Sequence, residues 1–235
     1  CWSVKALLLR FRKFVFFDTE TTGLDPEKDQ IIELAAVLVT EKGIELKIDA
    51  FCKLPEGEKL PEKIVELTHI TDDMLKENGI PYSEACRAFC NMIHSDSEVL
   101  LVAHNIQFDL LFTLEMFRRC GMVPKAPKLR ALDSLTVYKD RAAYPHKLEA
   151  AIEHYGLSER VQNSHRAIDD VLALYEVTKA MAAERDDLEE YIDLIGYNPK
   201  YGITGRKLRQ LTYLPQSYRL GCRLPELKEG GACNE

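Results

Sequence analysis

Asp18 and Glu20 stand two residues apart, directly behind the apolar run Phe14-Val15-Phe16-Phe17. Side chains alternate along a strand, so both carboxylates face one side if that run is extended. Two like charges that close repel unless something positive lies between them. Thr21-Thr22-Gly23 follows, a turn whose backbone N–H groups can approach a ligand closely. Taken alone, Asp-x-Glu is also what surface acid after a strand looks like, so its meaning depends on the rest of the chain.

A second group is Ala103-His104-Asn105-Ile106-Gln107-Phe108-Asp109, where a buried strand ends, Asn105 is placed to cap a helix and Asp109 falls in its first turn. An acid there gains about 0.3–1 kcal/mol from the helix dipole even with no chemistry to perform. A third group is His165-Arg166-Ala167-Ile168-Asp169-Asp170. Five residues along a helix rotate by about 140°, so His165 and Asp170 share no face if both are helical. They converge if Asn163 or Ser164 caps the helix and His165 stands at its mouth. Asp170 then lies beside the apolar stripe of Ile168, Val171, Leu174 and Tyr175, where a partly buried carboxylate needs a partner. A metal ion would supply one. Arg166 reads equally as a phosphate contact or as a solvated cation at a helix start.

Elements of known type must hold these groups. The run 14–17 reads as a strand covered on both faces. Further strands are expected at Ile31–Thr40 and 44–54, joined by the turn Glu41-Lys42-Gly43, and a buried one at Val99–Ala103. Helices are expected from Pro61 through Leu67, after an N-cap at Thr71, and after Ser83 with Ala85, Phe89, Met92 and Ile93 on one face. Others are expected over 108–120 with Gly121 as the stop, near 147–155 and over 167–183. Strands first, then alternation with helices, give an α/β fold with a mixed central sheet flanked by helices.

At 235 residues and 46% hydrophobic the chain can bury one sizeable core with an appendage. A net charge of -7 argues against a general polyanion binder, but not against an enzyme whose acids chelate cations. From Leu194 to Pro225 there is no Asp or Glu, while Lys200, Arg206, Lys207, Arg209, Arg219 and Arg223 accumulate among Tyr197, Tyr201, Tyr213 and Tyr218. This change sets a boundary near 183–188, with a domain over 1–185 and a basic, Tyr-rich extension over 186–235. The extension either guides a single strand electrostatically or packs its aromatics on the domain with its cations solvated. The seven cysteines show no zinc-site spacing and read as reduced thiols. No apolar run reaches the roughly 18 residues that span a bilayer, which leads to the expectation of a cytoplasmic protein with no membrane partner.

Phe17-Asp18-Thr19-Glu20-Thr21-Thr22-Gly23, Ala103-His104-Asn105 with Phe108-Asp109, and His165-Arg166-Ala167-Ile168-Asp169-Asp170 resemble, in order and spacing, the three motifs of the DEDDh 3′→5′ exonucleases, a family with an RNase H-like fold. The similarity runs from about Phe14 to Ala183. It implies that Asp18, Glu20, Asp109 and Asp170 are the four acids and metal ligands, and His165 the catalytic histidine acting as general base. Two Mg²⁺ ions are implied, with Mn²⁺ able to substitute; Asp18 would bridge them, Glu20 and Asp170 complete one site, and Asp109 serve the second. Thr21, Thr22 and Leu24 are implied in holding the terminal nucleotide, Leu24 as an apolar wedge, with Asn105 and Phe108 lining the cleft. Asp169 fills a position that need not be acidic. Asp133, in Leu132-Asp133-Ser134-Leu135, resembles a family segment and reads as a structural hydrogen-bonding acid. Leu67-Thr68-His69-Ile70-Thr71 departs from the pattern, since the family usually has Gly where His69 stands. The expected activity is hydrolysis from a 3′ end to nucleoside 5′-monophosphates, with DNA favoured over RNA and a polymerase as a possible partner.

Two other readings meet these residues less well. A scaffold that only binds nucleic acid predicts loss of a metal ligand, yet all five residues are present. An aspartyl-phosphate phosphatase needs a second Asp where Glu20 stands.

Overall fold

The computed structural model describes residues 5–125, 128–161, 166–216 and 223–228. Helix α1 (Lys5–Arg10) leads into β1 (Lys13–Thr21), β2 (Ile31–Thr40) and β3 (Gly43–Phe51). Helices α2 (Glu62–Thr68), α3 (Asp72–Asn78) and α4 (Tyr82–Met92) follow, then β4 (Val99–Ala103), α5 (Ile106–Cys120) and β5 (Leu129–Asp133). Next come α6 (Ser134–Lys139), α7 (Leu148–His154), α8 (Ala167–Glu184) and a 3₁₀ turn at Leu188–Tyr191. The strands β6 (Leu194–Tyr197) and β7 (Thr212–Pro215) and the short α9 (Leu224–Lys228) close the described chain.

The sheet order is β3-β2-β1-β4-β5. β1 pairs antiparallel with β2 and parallel with β4, and β4 parallel with β5, so the sheet is mixed and β1 is central. Burial on both faces explains why β2 and β4 read as near-continuous apolar runs. Alternation sorts the side chains into two layers. Phe14 and Phe16 join Ala35, Val37 and Val102 in the core covered by α6, α7 and α8. Val15 and Phe17 join Ala36, Leu101 and Phe112 in the core covered by α4 and α5. The expected α/β architecture with an RNase H-like mixed sheet is the one observed.

Several boundaries differ from expectation. β1 continues to Thr21, so Asp18 and Glu20 lie within the strand, and β3 ends at Phe51 because Cys52 makes only an isolated bridge to Ile80. α5 begins at Ile106. Cys52, Cys86, Cys90 and Cys120 are free thiols, and burial pushes those of Cys52 and Cys86 up to about 12; Cys1, Cys222 and Cys233 lie outside the described residues.

The chain after the 3₁₀ turn folds back onto β5 and α6. β5 is the last strand on its side, and Asp193 meets its outer backbone. The Asp193 N–H donates to the Ala131 carbonyl at 2.7 Å, and the Ala131 N–H donates to Asp193 Oδ1 at 2.9 Å. β6 and β7 pair parallel in a separate two-stranded sheet, and the Gly196 N–H donates to Thr136 Oγ1 at 3.0 Å. Half-buried Tyr213 packs on the α5 side, while Tyr201 is exposed. The packing alternative for the aromatics therefore holds for Tyr213; Tyr218 lies outside the described residues. Among the described residues no helix is long and apolar enough to cross a membrane.

Candidate active site

Alternation on β1 carries the Phe14, Phe16 face onward to Asp18 and Glu20, so both carboxylates point toward the α8 side of the sheet. Thr19, between them, points the other way. Its hydroxyl donates to Asp109 Oδ1 at 2.7 Å, which fixes a carboxylate from the first turn of α5 to the central strand. Asp109 is only 3% exposed, and burial pushes its carboxyl up to about 7 against the opposing pull of that hydrogen bond. Asp18 is raised well above the usual carboxylate range, first by burial and then by the charges of Asp109, Glu20, Asp170 and Glu33. Glu20 is pushed up to about 7 by burial and then by Glu33, Asp170 and Asp109. The four acids named from the sequence, carried by β1, α5 and α8, thus act on one another at one end of the sheet.

Glu33 was not among the expected residues. It lies opposite Glu20 across the β1–β2 ladder, and partners in register share a sheet face. It is 0% exposed, and burial raises its carboxyl against the lowering pull of Arg166. Arg166 Nε donates to Glu33 Oε1 at 2.8 Å, and the Ala167 N–H, opening α8, donates to Oε2 at 3.4 Å. The guanidinium also reaches Asp49 Oδ1 at 3.4 Å and lies 4.6 Å from the centroid of the Phe51 ring. Arg166, its side chain 37% exposed, is thus the counter-charge of a buried acid. The signal was a single charge inside Ile31-Ile32-Glu33-Leu34-Ala35, since a buried carboxylate must have a partner.

The N-cap position of α8 is Arg166, with no side-chain cap bond, so neither Asn163 nor Ser164 occupies it. Both, and His165, lie outside the described residues. Asp170 is half-buried in the first turn of α8, and its N–H donates to the Arg166 carbonyl at 3.2 Å.

Asn105 does not cap α5 through its side chain. It takes a left-handed conformation, φ 72°, and the cap comes from Asp133. Asp133 Oδ1 accepts from the Asn105 and Ile106 N–H groups at 2.8 and 3.1 Å, and Oδ2 from the N–H and hydroxyl of Thr136 at 3.2 and 2.6 Å. One carboxylate closes the starts of both α5 and α6, the structural role expected of it. His104 is held between Ser134 Oγ and the His146 carbonyl, each at 2.8 Å, and burial lowers its imidazole pKa.

The turn after β1 is more occupied than its sequence suggests. The Thr22 N–H donates to the Gln30 carbonyl at 3.0 Å, and its hydroxyl donates to Asp29 Oδ1 and accepts from the Gln30 N–H. Thr22 is thus committed within the turn and has no free N–H to offer a sugar. The Thr21 hydroxyl donates to the Gly23 carbonyl at 2.6 Å. A Cβ on Gly23 would stand 2.3 Å from Asp29 Oδ2, so only glycine lets the turn close. Leu24 stands 84% exposed at its tip, the setting of a wedge. Phe108 is half-buried, its ring 4.8 Å from that of Phe112. His69 holds φ 58° as the C-cap of α2, a left-handed conformation that glycine adopts at least cost; this accounts for the family's usual Gly there.

Hard carboxylate oxygens suit Mg²⁺, which prefers a few such ligands and keeps several waters. Among the described residues, no three His, Cys, Asp or Glu side chains stand together as a ready-made cage. The donor set still fits, because the acids share a repulsion that a cation would relieve.

Residues 15–178 match an exonuclease family model. The DNA polymerase III subunit epsilon of Treponema pallidum (strain Nichols) is 34% identical over 173 residues, covering 72% of this chain and 76% of that subunit. A PolC-type DNA polymerase III of Clostridium perfringens (strain 13 / Type A) is 33% identical over 195 residues, 80% of this chain but 12% of the polymerase. Among solved structures, E. coli exonuclease I in complex with a dA16 oligonucleotide shares the fold, with a TM-score of 0.66 at 20% identity over 77% of this chain and 43% of that enzyme. The chain therefore spans a small part of the PolC-type polymerases and less than half of exonuclease I.

Proposed function

The chain belongs to this exonuclease family, and on that premise we propose that it removes nucleotides one at a time from the 3′ end of DNA, releasing nucleoside 5′-monophosphates. Asp18, Glu20, Asp109 and Asp170 would hold two Mg²⁺ ions. Bound there, such ions supply Lewis-acid activation of the attacking and leaving oxygens. His165 is the general base, its imidazole taking the proton of the attacking water. Thr19 keeps the Asp109 carboxylate turned to the site, and Glu33 with Arg166 fixes the start of the helix that carries Asp170. Leu24 and Phe108 meet the terminal base, with Thr21 and Asn105 beside them. Backbone and stacking contacts of this kind make end recognition largely independent of sequence.

The observation that supports the reading is the placement of Asp18 and Glu20 on one face of β1 with Asp109 tied to the same strand by Thr19 at 2.7 Å, within the residues that match the exonuclease family. The assay is degradation of 5′-labelled single-stranded DNA and RNA of one sequence, with Mg²⁺, with Mn²⁺ and with chelator. A metal-dependent ladder shortening from the 3′ end, faster on DNA, is expected. Retention of intact strands in every condition would overturn the reading. We further read 1–185 as the exonuclease domain and 186–235 as an extension seated on it, working in the cytoplasm beside a polymerase, as its similarity to subunit epsilon supports.

A further inference from the structure

Between β6 and β7 the chain carries Lys200, Arg206, Lys207 and Arg209, all exposed, and no acid. Several arginines elsewhere pair with carboxylates: Arg118 and Arg119 with Glu115, Arg130 with Asp193, Arg141 and Arg223 with Asp187. Among the described residues, no carboxylate lies within ion-pair distance of the four loop cations. Lys200 and Lys207 instead lie over the rings of Tyr201 and Tyr213, at 5.3 and 5.7 Å. In a chain of net charge -7 this is a local surplus of positive charge.

The loop is held in place. Leu208, Leu211 and Tyr213 pack against the core under α4 and α5. Gln107, 5% exposed, spends its whole amide on the loop: Nε2 donates to the Thr204 and Arg206 carbonyls at 3.4 and 2.7 Å, and Oε1 accepts from the Tyr213 hydroxyl at 2.7 Å. Gly205, at φ 73°, sits so close to α5 that a Cβ would lie 2.6 Å from Leu111 Cδ1. Gln107 is two residues before Asp109 in the first turn of α5. A cavity of about 140 Å³, lined by Asp25, Pro26 and Glu27 on one side, Leu111 and Glu115 on α5, and Gly205 and Arg206 on the loop, separates the loop from the turn behind Leu24. Arg206 thus stands beside the first turn of α5, the helix that carries Asp109.

We infer that the 198–211 loop is a rail for single-stranded DNA, its cations following the backbone phosphates of the strand whose 3′ end lies at Asp18. The inference rests on the exonuclease reading for the position of that end. Tyr201, 75% exposed beside Lys200, is the stacking platform. Cations interleaved with an exposed ring fit a polynucleotide, which offers phosphates and flat bases together; an acidic protein segment would use only the cations.

The test is equilibrium binding of a labelled oligothymidylate of about 16 nucleotides, with phosphorothioate 3′ linkages, across a series of KCl concentrations. The measurement needs no hydrolysis, so its failure and that of the exonuclease reading are seen separately. Lys200→Gln, Arg206→Gln, Lys207→Gln and Arg209→Gln combined should lower the slope of log K against log salt by about 3, at about 0.7 per phosphate contact in a single strand. Lys63→Gln with Lys76→Gln, away from the loop, should leave it unchanged. Tyr201→Ala should weaken binding about tenfold with the slope unaltered. If the fourfold variant does not fold, Lys200→Gln and Arg209→Gln singly should each lower the slope by about 0.7. An unchanged slope in the loop variants, or an equal fall in the control, overturns the inference. So does polyglutamate binding as tightly as the oligonucleotide with no effect of Tyr201→Ala.

Discussion

Arg166, at the mouth of α8, donates to Glu33, buried in β2, across 133 positions of sequence. Glu33 faces the same side of the sheet as Glu20, so the pair ties the helix that bears Asp170 to the strands that bear the other acids. Arg166→Ala should leave Glu33 buried and unpaired. We expect a loss of about 2–4 kcal/mol, below the full cost of breaking an enclosed pair because Arg166 keeps one flank in solvent. Turnover should fall as well, by about tenfold or more, since small misplacements of reacting groups are costly. Urea denaturation and single-turnover rates check both. Glu33→Leu with Arg166→Leu should regain stability without regaining rate; recovery of both would mean that the pair has no part in aligning the site.

Asp18→Asn should abolish degradation of an oligonucleotide while raising the thermal midpoint of the protein in chelator. The substitution removes an ionisable group whose charged form is disfavoured first by burial and then by Asp109, Glu20, Asp170 and Glu33. A lower midpoint would show that Asp18 holds the fold together rather than straining it.

The pH dependence has a definite sign. Burial and neighbouring charge raise Asp18, Glu20 and Asp109 in the native state, the last two to about 7. Between about pH 4, where such carboxyls ordinarily ionise, and about 7, the native protein holds protons that the unfolded chain has released. Their contribution to stability is therefore greatest at low pH and is lost as pH rises through this window. In chelator the thermal midpoint should fall from pH 5 to 7.5. Added Mg²⁺ should cancel that fall and raise the midpoint with concentration, as a ligand of the native state does. Scanning fluorimetry across the two series decides it.

His165→Ala should lower the single-turnover rate by about 10²–10⁴-fold with little change in oligonucleotide affinity. A weakened affinity with an intact chemical step would remove the histidine from the role of base.

Leu24→Ala should change stability by no more than about 0.5 kcal/mol, the ordinary range for an exposed position, yet raise KM for a paired 3′ end more than for a single strand. Equal KM changes on both substrates would deny it the role of wedge.

Local periodicity made most of the fold legible. The parity of Asp18 and Glu20 on one strand face, the buried run at Val99–Ala103 and the Gly121 stop follow from neighbours a few residues apart. Asp133 was read as structural, but its choice of two helix starts, which displaced Asn105 from the capping role, depends on where β4 and β5 lie side by side. Glu33 has its partner 133 positions away, which no local pattern states, although a lone charge in an apolar strand requires one. His69 was visible as a departure; its left-handed backbone was not, since nothing in the neighbouring residues states a φ angle. The extension's composition was plain, but its docking on Gln107 and Ala131 is a tertiary choice.

That docking bears on how the chain survives in a crowded solution. β5 is an outermost strand, and Asp193 occupies backbone groups that would otherwise invite another strand. β3, at the opposite margin, deters such pairing with the exposed charges of Glu45 and Lys47. The run Leu129-Arg130-Ala131-Leu132-Asp133 has fewer charges to defend it. A boundary drawn near residue 185 is thus no place for scissors: trimming there would bare a sticky seam open to pairing with another strand.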